Sequence, residues 1–126
     1  MLKKAIVLLS ALFFSAAYAD TCPSVIEIKQ DNFHGWEALN TDSGEPVSAL
    51  KLKKFKRLVK AFNFAYWVEN APEGSGQCYY RQVDEVAEVY FAKNTLAPLE
   101  AEGNWYKAAW GFLKCEVGLV ACRLPE

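Results

Sequence analysis

The sequence predicts an α+β domain, an antiparallel sheet of five or six strands with one amphipathic helix packed on one face and two disulfides. Three observations predict it. Apolar residues recur at helical spacing across residues 47 to 61, period-2 runs fill residues 62–68, 77–83 and 86–93, and four cysteines fall after a secretion signal. With only 7 Gly, 5 Pro and 23% charged residues in 126, the composition excludes disordered and collagen-like chains.

The N-terminal segment reads as an export signal rather than as part of the fold. Lys3 and Lys4 precede an apolar run from Ala5 to Phe14, and small residues lead into Ala17-Tyr18-Ala19. A membrane anchor needs about 20 apolar residues, more than this run supplies, so cleavage is expected after Ala19, leaving one exported domain, residues 20–126. That removes two lysines and no acids, so 12 cations face 15 acids in 107 residues, a net charge of −3. The predicted location is periplasmic or secreted, with no transmembrane segment after cleavage.

Cys22, Cys78, Cys115 and Cys122 all lie in the exported part, where pairs persist. The intervening stretches of 55, 36 and 6 residues lack the paired C-x2-4-C spacing of zinc sites, and there is no C-x-x-C. The favoured pairing is Cys22 with Cys122, tying the chain ends, and Cys78 with Cys115. A local Cys115 to Cys122 bridge is the alternative.

Along the exported chain, Ser24 to Lys29 is β-branched and partly alternating, which predicts a strand. Asp31 to Pro46 predicts a loop carrying aromatics, its sharpest turn at Asn40-Thr41-Asp42-Ser43-Gly44. Leu52, Phe55, Leu58, Val59 and Phe62 then form one apolar stripe opposite Lys53, Lys56, Arg57 and Lys60, with Pro46 or Ser48 placed to start a helix. Phe62 to Val68 alternates as a strand, Asn70 to Gly76 reads as a loop, and Gln77 to Val83 returns as its hairpin partner. Val86 to Lys93 is a further strand, with Val89 and Phe91 on one face and Tyr90 on the other. Gly118 in Val117-Gly118-Leu119-Val120 suits a two-residue II′ turn, which predicts a C-terminal hairpin.

Chemistry is thinly supplied. His34 is the only histidine, there is no G-x-S-x-G elbow, and one imidazole provides no His-rich metal site. No cofactor or metal is expected. Asp84, Glu85 and Glu88, and Glu100 with Glu102, are acid clusters of a kind a carboxylate-dependent hydrolase would need. Lys51, Lys53, Lys54, Lys56, Arg57 and Lys60 place six cations in ten residues, a face suited to an anionic or acidic partner through Lys53, Lys56, Arg57 and Lys60. His34 and Trp36 are a second candidate, an aromatic loop site, while most other aromatics read as core. No RNA-binding motif accompanies the lysines, so a protein partner is expected rather than sequence-specific nucleic acid.

Cys22-Pro23, Trp36, Ser43-Gly44-Glu45-Pro46, Cys78-Tyr79-Tyr80, Trp105, Cys115 and Cys122 give the exported chain a pattern of landmarks. In these it resembles an uncharacterised family of small secreted, disulfide-bonded proteins from intracellular Gram-negative bacteria. The landmarks specify a fold and carry no catalytic residue. The reading is therefore an exported, non-enzymatic binding module acting on a host or periplasmic protein. Its alternatives are a periplasmic inhibitor of a hydrolase and a small hydrolase using Asp84, Glu85 or Glu88.

Overall fold

The computed structural model describes residues 21–69, 74–83, 85–95, 101 and 103–124. The expected signal segment, Asp84, Glu100 and Glu102 lie outside them. Six strands form one antiparallel sheet, β1 (Glu37–Asn40), β2 (Ala61–Glu69), β3 (Gly74–Gln82), β4 (Glu85–Thr95), β5 (Tyr106–Lys107) and β6 (Leu113–Cys115), in the order β1-β4-β3-β2-β6-β5. Among the described residues two α-helices accompany it, α1 (Val25–Lys29) and α2 (Ala49–Leu58). The predicted fold class is the one observed.

Helix α1 replaces the strand expected at residues 24–29. Ser24-Val25-Ile26-Glu27 is a capping box: the Glu27 amide donates to Ser24 Oγ at 3.1 Å and the Ser24 amide donates to Glu27 Oε1 at 2.9 Å. Two orphan amides are satisfied within one turn, and this local bonding outweighs the β preference of Val25 and Ile26. Helix α2 begins after Ser48, whose side chain accepts from the Lys51 amide, and ends at Val59, whose backbone is extended. Lys29 Nζ donates to the carbonyls of Lys56 and Arg57 at 2.7 and 3.4 Å, a cation at the negative end of the helix.

The core lies on one face of the sheet. Phe55 of α2 meets the rings of Tyr80 and Phe91, Phe33 adds to Phe91, and the fully buried Tyr80 donates its hydroxyl to the carbonyl of Pro23. Burial pushes the Tyr80 pKa well above the usual tyrosine value. Gly74 and Gly76, expected in a loop, belong to β3 because large side chains occupy the space a Cβ would need. An added Cβ would sit 2.4 Å from the Trp67 ring at Gly74, and 2.7 Å from Leu124 Cδ1 at Gly76.

The disulfides are Cys22 to Cys78 and Cys115 to Cys122, not Cys22 to Cys122 with Cys78 to Cys115. Cys22, just ahead of α1, lies over the centre of β3, with Cα atoms 5.8 Å apart. The II′ hairpin is also absent among the described residues. Strand β6 already pairs with β2 on one side and β5 on the other, so no edge is free for residues 120–124. Gly118 lacks the positive φ that a II′ turn demands, and the Cys122 amide instead donates to Gly118 O at 3.0 Å. The resulting loop brings Cys122 back to Cys115.

Candidate binding surfaces

Helices α1 and α2, the loop before β1 and the C-terminal segment reach the core face of the sheet, α1 through the Cys22 to Cys78 bridge, α2 through Phe55, the loop through Phe33 and the C-terminal segment through Leu124 at Gly76. On the other face the turn at Gly44 lies beside the Tyr90 hydroxyl and Phe112 packs on Tyr66. This second face holds a ladder of aromatic side chains. Leu39, Tyr90, Tyr79 and Phe64 stand in register across β1, β4, β3 and β2, and Ala92, Gln77, Tyr66 and Lys114 form the next row. Residues directly opposite one another share a face. The register shift between Phe62 and Phe64 sends Phe62 to the core against Tyr80 and Phe64 to the open side.

The rings pack against one another. Phe64 stacks on Tyr79 at 4.7 Å between centroids and 18°, and Tyr79 stacks on Tyr90 at 5.0 Å and 5°. Tyr66 meets Phe64, Tyr79 and Phe112 edge-on, at 5.0, 5.7 and 5.6 Å. Lys114 Nζ lies 4.5 Å from the centroid of Phe64 and within cation–π reach of Tyr66. Burial, with Tyr90 and Tyr66 nearby, pushes the Tyr79 hydroxyl up to about 12, and burial and Glu37 raise Tyr90. The Tyr79 hydroxyl donates to Gln77 Oε1 at 3.0 Å.

Beyond Phe112 the β5–β6 connection carries Trp110 at its tip, 92% exposed and in the left-handed region at φ 66°. Left-handed backbone is costly for a bulky residue, about 1 to 3 kcal/mol where the surroundings enforce it. The connection is closed by the Ala108 amide donating to Phe112 O at 2.7 Å and the Phe112 amide donating to Ala109 O at 3.4 Å. One of the four tryptophans is thus held out in water by a hydrogen-bonded turn.

The residues singled out from sequence separate. Lys53, Arg57 and Lys60 are exposed, as is Lys54. Lys56 is withdrawn from the basic face by its 2.6 Å ion pair with Asp31. His34 is in the left-handed region and holds Glu27 through Nε2, while hydrogen bonds from the Ser24 backbone, then His34, keep the Glu27 carboxyl below its ordinary value. Trp36 is not a surface aromatic: it is 3% exposed, lies over Gly76, and its indole N–H has no partner among the described residues. Glu85 and Glu88 are exposed, with Glu88 3.9 Å from Lys51. Among the described residues, no three His, Cys, Asp or Glu gather as for a metal ion, and no helix is long and apolar enough to cross a membrane.

The sequence reads most aromatics as core, yet strand parity carries the signal of the ladder. Tyr90 alternates with Val89 and Phe91, Tyr79 with Cys78 and Tyr80, and Phe64 and Tyr66 flank Ala65. Comparison with known protein families, curated proteins and solved structures finds no match to this chain.

Proposed function

We propose that this chain is an exported, non-enzymatic binding module that docks a protein partner on the aromatic face of its sheet, with Trp110 as the anchor. The observation that carries this reading is an aromatic ladder that ends at Phe112, two residues from an exposed Trp110 in a hydrogen-bonded turn. Trp and Tyr dominate the energetics of protein interfaces, and a rigidly presented ring loses little entropy on docking.

Ring orientation favours a protein over a sugar or a nucleobase. Sugar and base platforms offer free ring faces, whereas both faces of Tyr79 are taken by Phe64 and Tyr90. What the ladder offers is ring edges and hydroxyls, which suit side chains and backbone carbonyls. Export rests on the signal-like residues 1–19 and on two disulfides in a small domain. The resemblance to small secreted proteins of intracellular Gram-negative bacteria points the same way, toward a host or periplasmic partner.

Inhibition of a hydrolase is the second reading, and Trp110 favours it. A hydrogen-bonded turn projecting one large ring suits insertion into an enzyme cleft. Affinity capture from periplasm and host extract, with mass spectrometry, tests both readings. A partner held by the wild type and lost with Trp110→Ser and Tyr66→Ser supports the sheet face; a partner held equally by that variant refutes it. Identification of the partner as a hydrolase whose turnover falls on binding selects the inhibitor reading.

A further inference from the structure

We infer that the outward face of α2 seats the protein on an anionic lipid bilayer, a role independent of the sheet-face docking. Leu50, Lys53, Lys54 and Arg57 follow one another at helical spacing and are exposed, with Lys60 just beyond the helix, while Phe55 and Val59 are buried. Of the acids beside them, Glu88 lies 3.9 Å from Lys51 and Asp31 2.6 Å from Lys56, while Glu85 and Glu88 border a small depression together with Lys54. Among the described residues, Lys53, Lys54, Arg57 and Lys60 make no ion pair and form a group of four cations.

Three features suit a bilayer better than an acidic protein. The cations are mostly lysines, point charges on flexible stems that match a diffuse charged surface rather than a fixed carboxylate geometry. They sit on the exposed side of the helix, and the depression that Leu50, Lys53, Lys54 and Arg57 line with Glu88 is open to solvent. Leu50, 80% exposed at one end of the group, is placed to enter the boundary between headgroups and acyl chains.

The attraction is local. The predicted exported chain is net acidic, and surface charges act over about 8 Å at physiological salt, so only this face is drawn to a negative surface. Because α2 packs on the core face through Phe55, a molecule held by α2 turns its aromatic face to the water. Lipid and partner would then be engaged from opposite sides.

Co-sedimentation of the oxidised protein with vesicles tests this, using phosphatidylcholine alone and phosphatidylcholine mixed with phosphatidylglycerol. The wild type should partition onto the mixed vesicles and not the neutral ones, and should leave them as salt rises. Each cation near an anionic surface is worth roughly fivefold in partition. Replacing Lys53, Lys54, Arg57 and Lys60 with Glu should therefore lower binding by at least several hundredfold, and the Gln versions provide a milder set. Leu50→Ala should lower it a few fold at unchanged charge, while Lys107→Glu with Arg123→Glu should change it little. All variants share residues 1–20, so the leader cannot produce the differences. Melting temperatures close to wild type establish that the variants fold. Absence of wild-type binding, or binding at the wild-type level by both fourfold variants, overturns the inference. So does effective competition by soluble polyglutamate with no effect of Leu50→Ala, which would assign the face to an acidic protein.

Discussion

The two disulfides close loops of very different length, and their removal should cost unequal amounts. Cys22 and Cys78 are 56 positions apart, Cys115 and Cys122 only 7. In the chain-entropy account, cross-links over these loops contribute about 4.2 and about 2.5 kcal/mol at 25 °C. All four sulfurs are buried, so replacement by Ala leaves a comparable void in each case, and the difference between the pairs isolates the loop effect. For a domain of this size each kcal/mol moves the melting temperature by roughly 4 to 8 °C. Cys22→Ala with Cys78→Ala should thus lower Tm by about 17 to 34 °C, and Cys115→Ala with Cys122→Ala by about 10 to 20 °C. Thermal melting followed by circular dichroism measures both, and peptide mapping of the unreduced wild type identifies the pairs. An equal or reversed order of destabilisation, or a mapped Cys22 to Cys122 bridge, would refute the reasoning.

Three further outcomes follow from the packing and the protonation states. Gly76→Ala places a Cβ against Leu124 and beside Trp36, and should destabilise by about 1 to 3 kcal/mol in a denaturant titration. Tyr79 titrates near 12 and Tyr90 above the ordinary 10.0. The folded state therefore holds these protons more tightly than the unfolded chain, so their stabilisation is full below pH 10 and fades as pH rises through about 12, which absorbance of tyrosinate during an alkaline titration will follow. His34→Ala removes an exposed clasp on Glu27 and should change stability by no more than about 1 kcal/mol; it should leave partner binding within a few fold, and a larger loss would return His34 to the site.

The sequence announced the elements whose periodicity is long and unbroken. Helix α2 and the strands around Phe64, Tyr79 and Val89 were legible because apolar residues repeat at 3.6 or 2 over several turns or pairs. Helix α1 was misread because a five-residue helix has no period to show, only the capping box of Ser24 and Glu27. Strand β1 was hidden in a polar stretch, Glu37-Ala38-Leu39-Asn40, which takes its structure from pairing with β4. The C-terminal hairpin failed for a tertiary reason, the occupation of both edges of β6. The cationic face was visible as spacing, but the withdrawal of Lys56 by Asp31 depends on a contact across 25 positions. The open aromatic face required knowing which side of the sheet the helices cover, and Trp110 required its left-handed turn.

The central claim, docking of a protein through Trp110 and the aromatic face, is met most directly by photo-crosslinking. A benzophenone side chain is placed at position 110 in one variant and at position 54, on the outward face of α2, in another, and both are illuminated in the compartment to which the protein is exported. The account predicts one dominant protein adduct from position 110 that is missing from position 54 and is lost when Tyr66 is also replaced by Ser. No adduct at 110, or the same adduct from both positions, would contradict it.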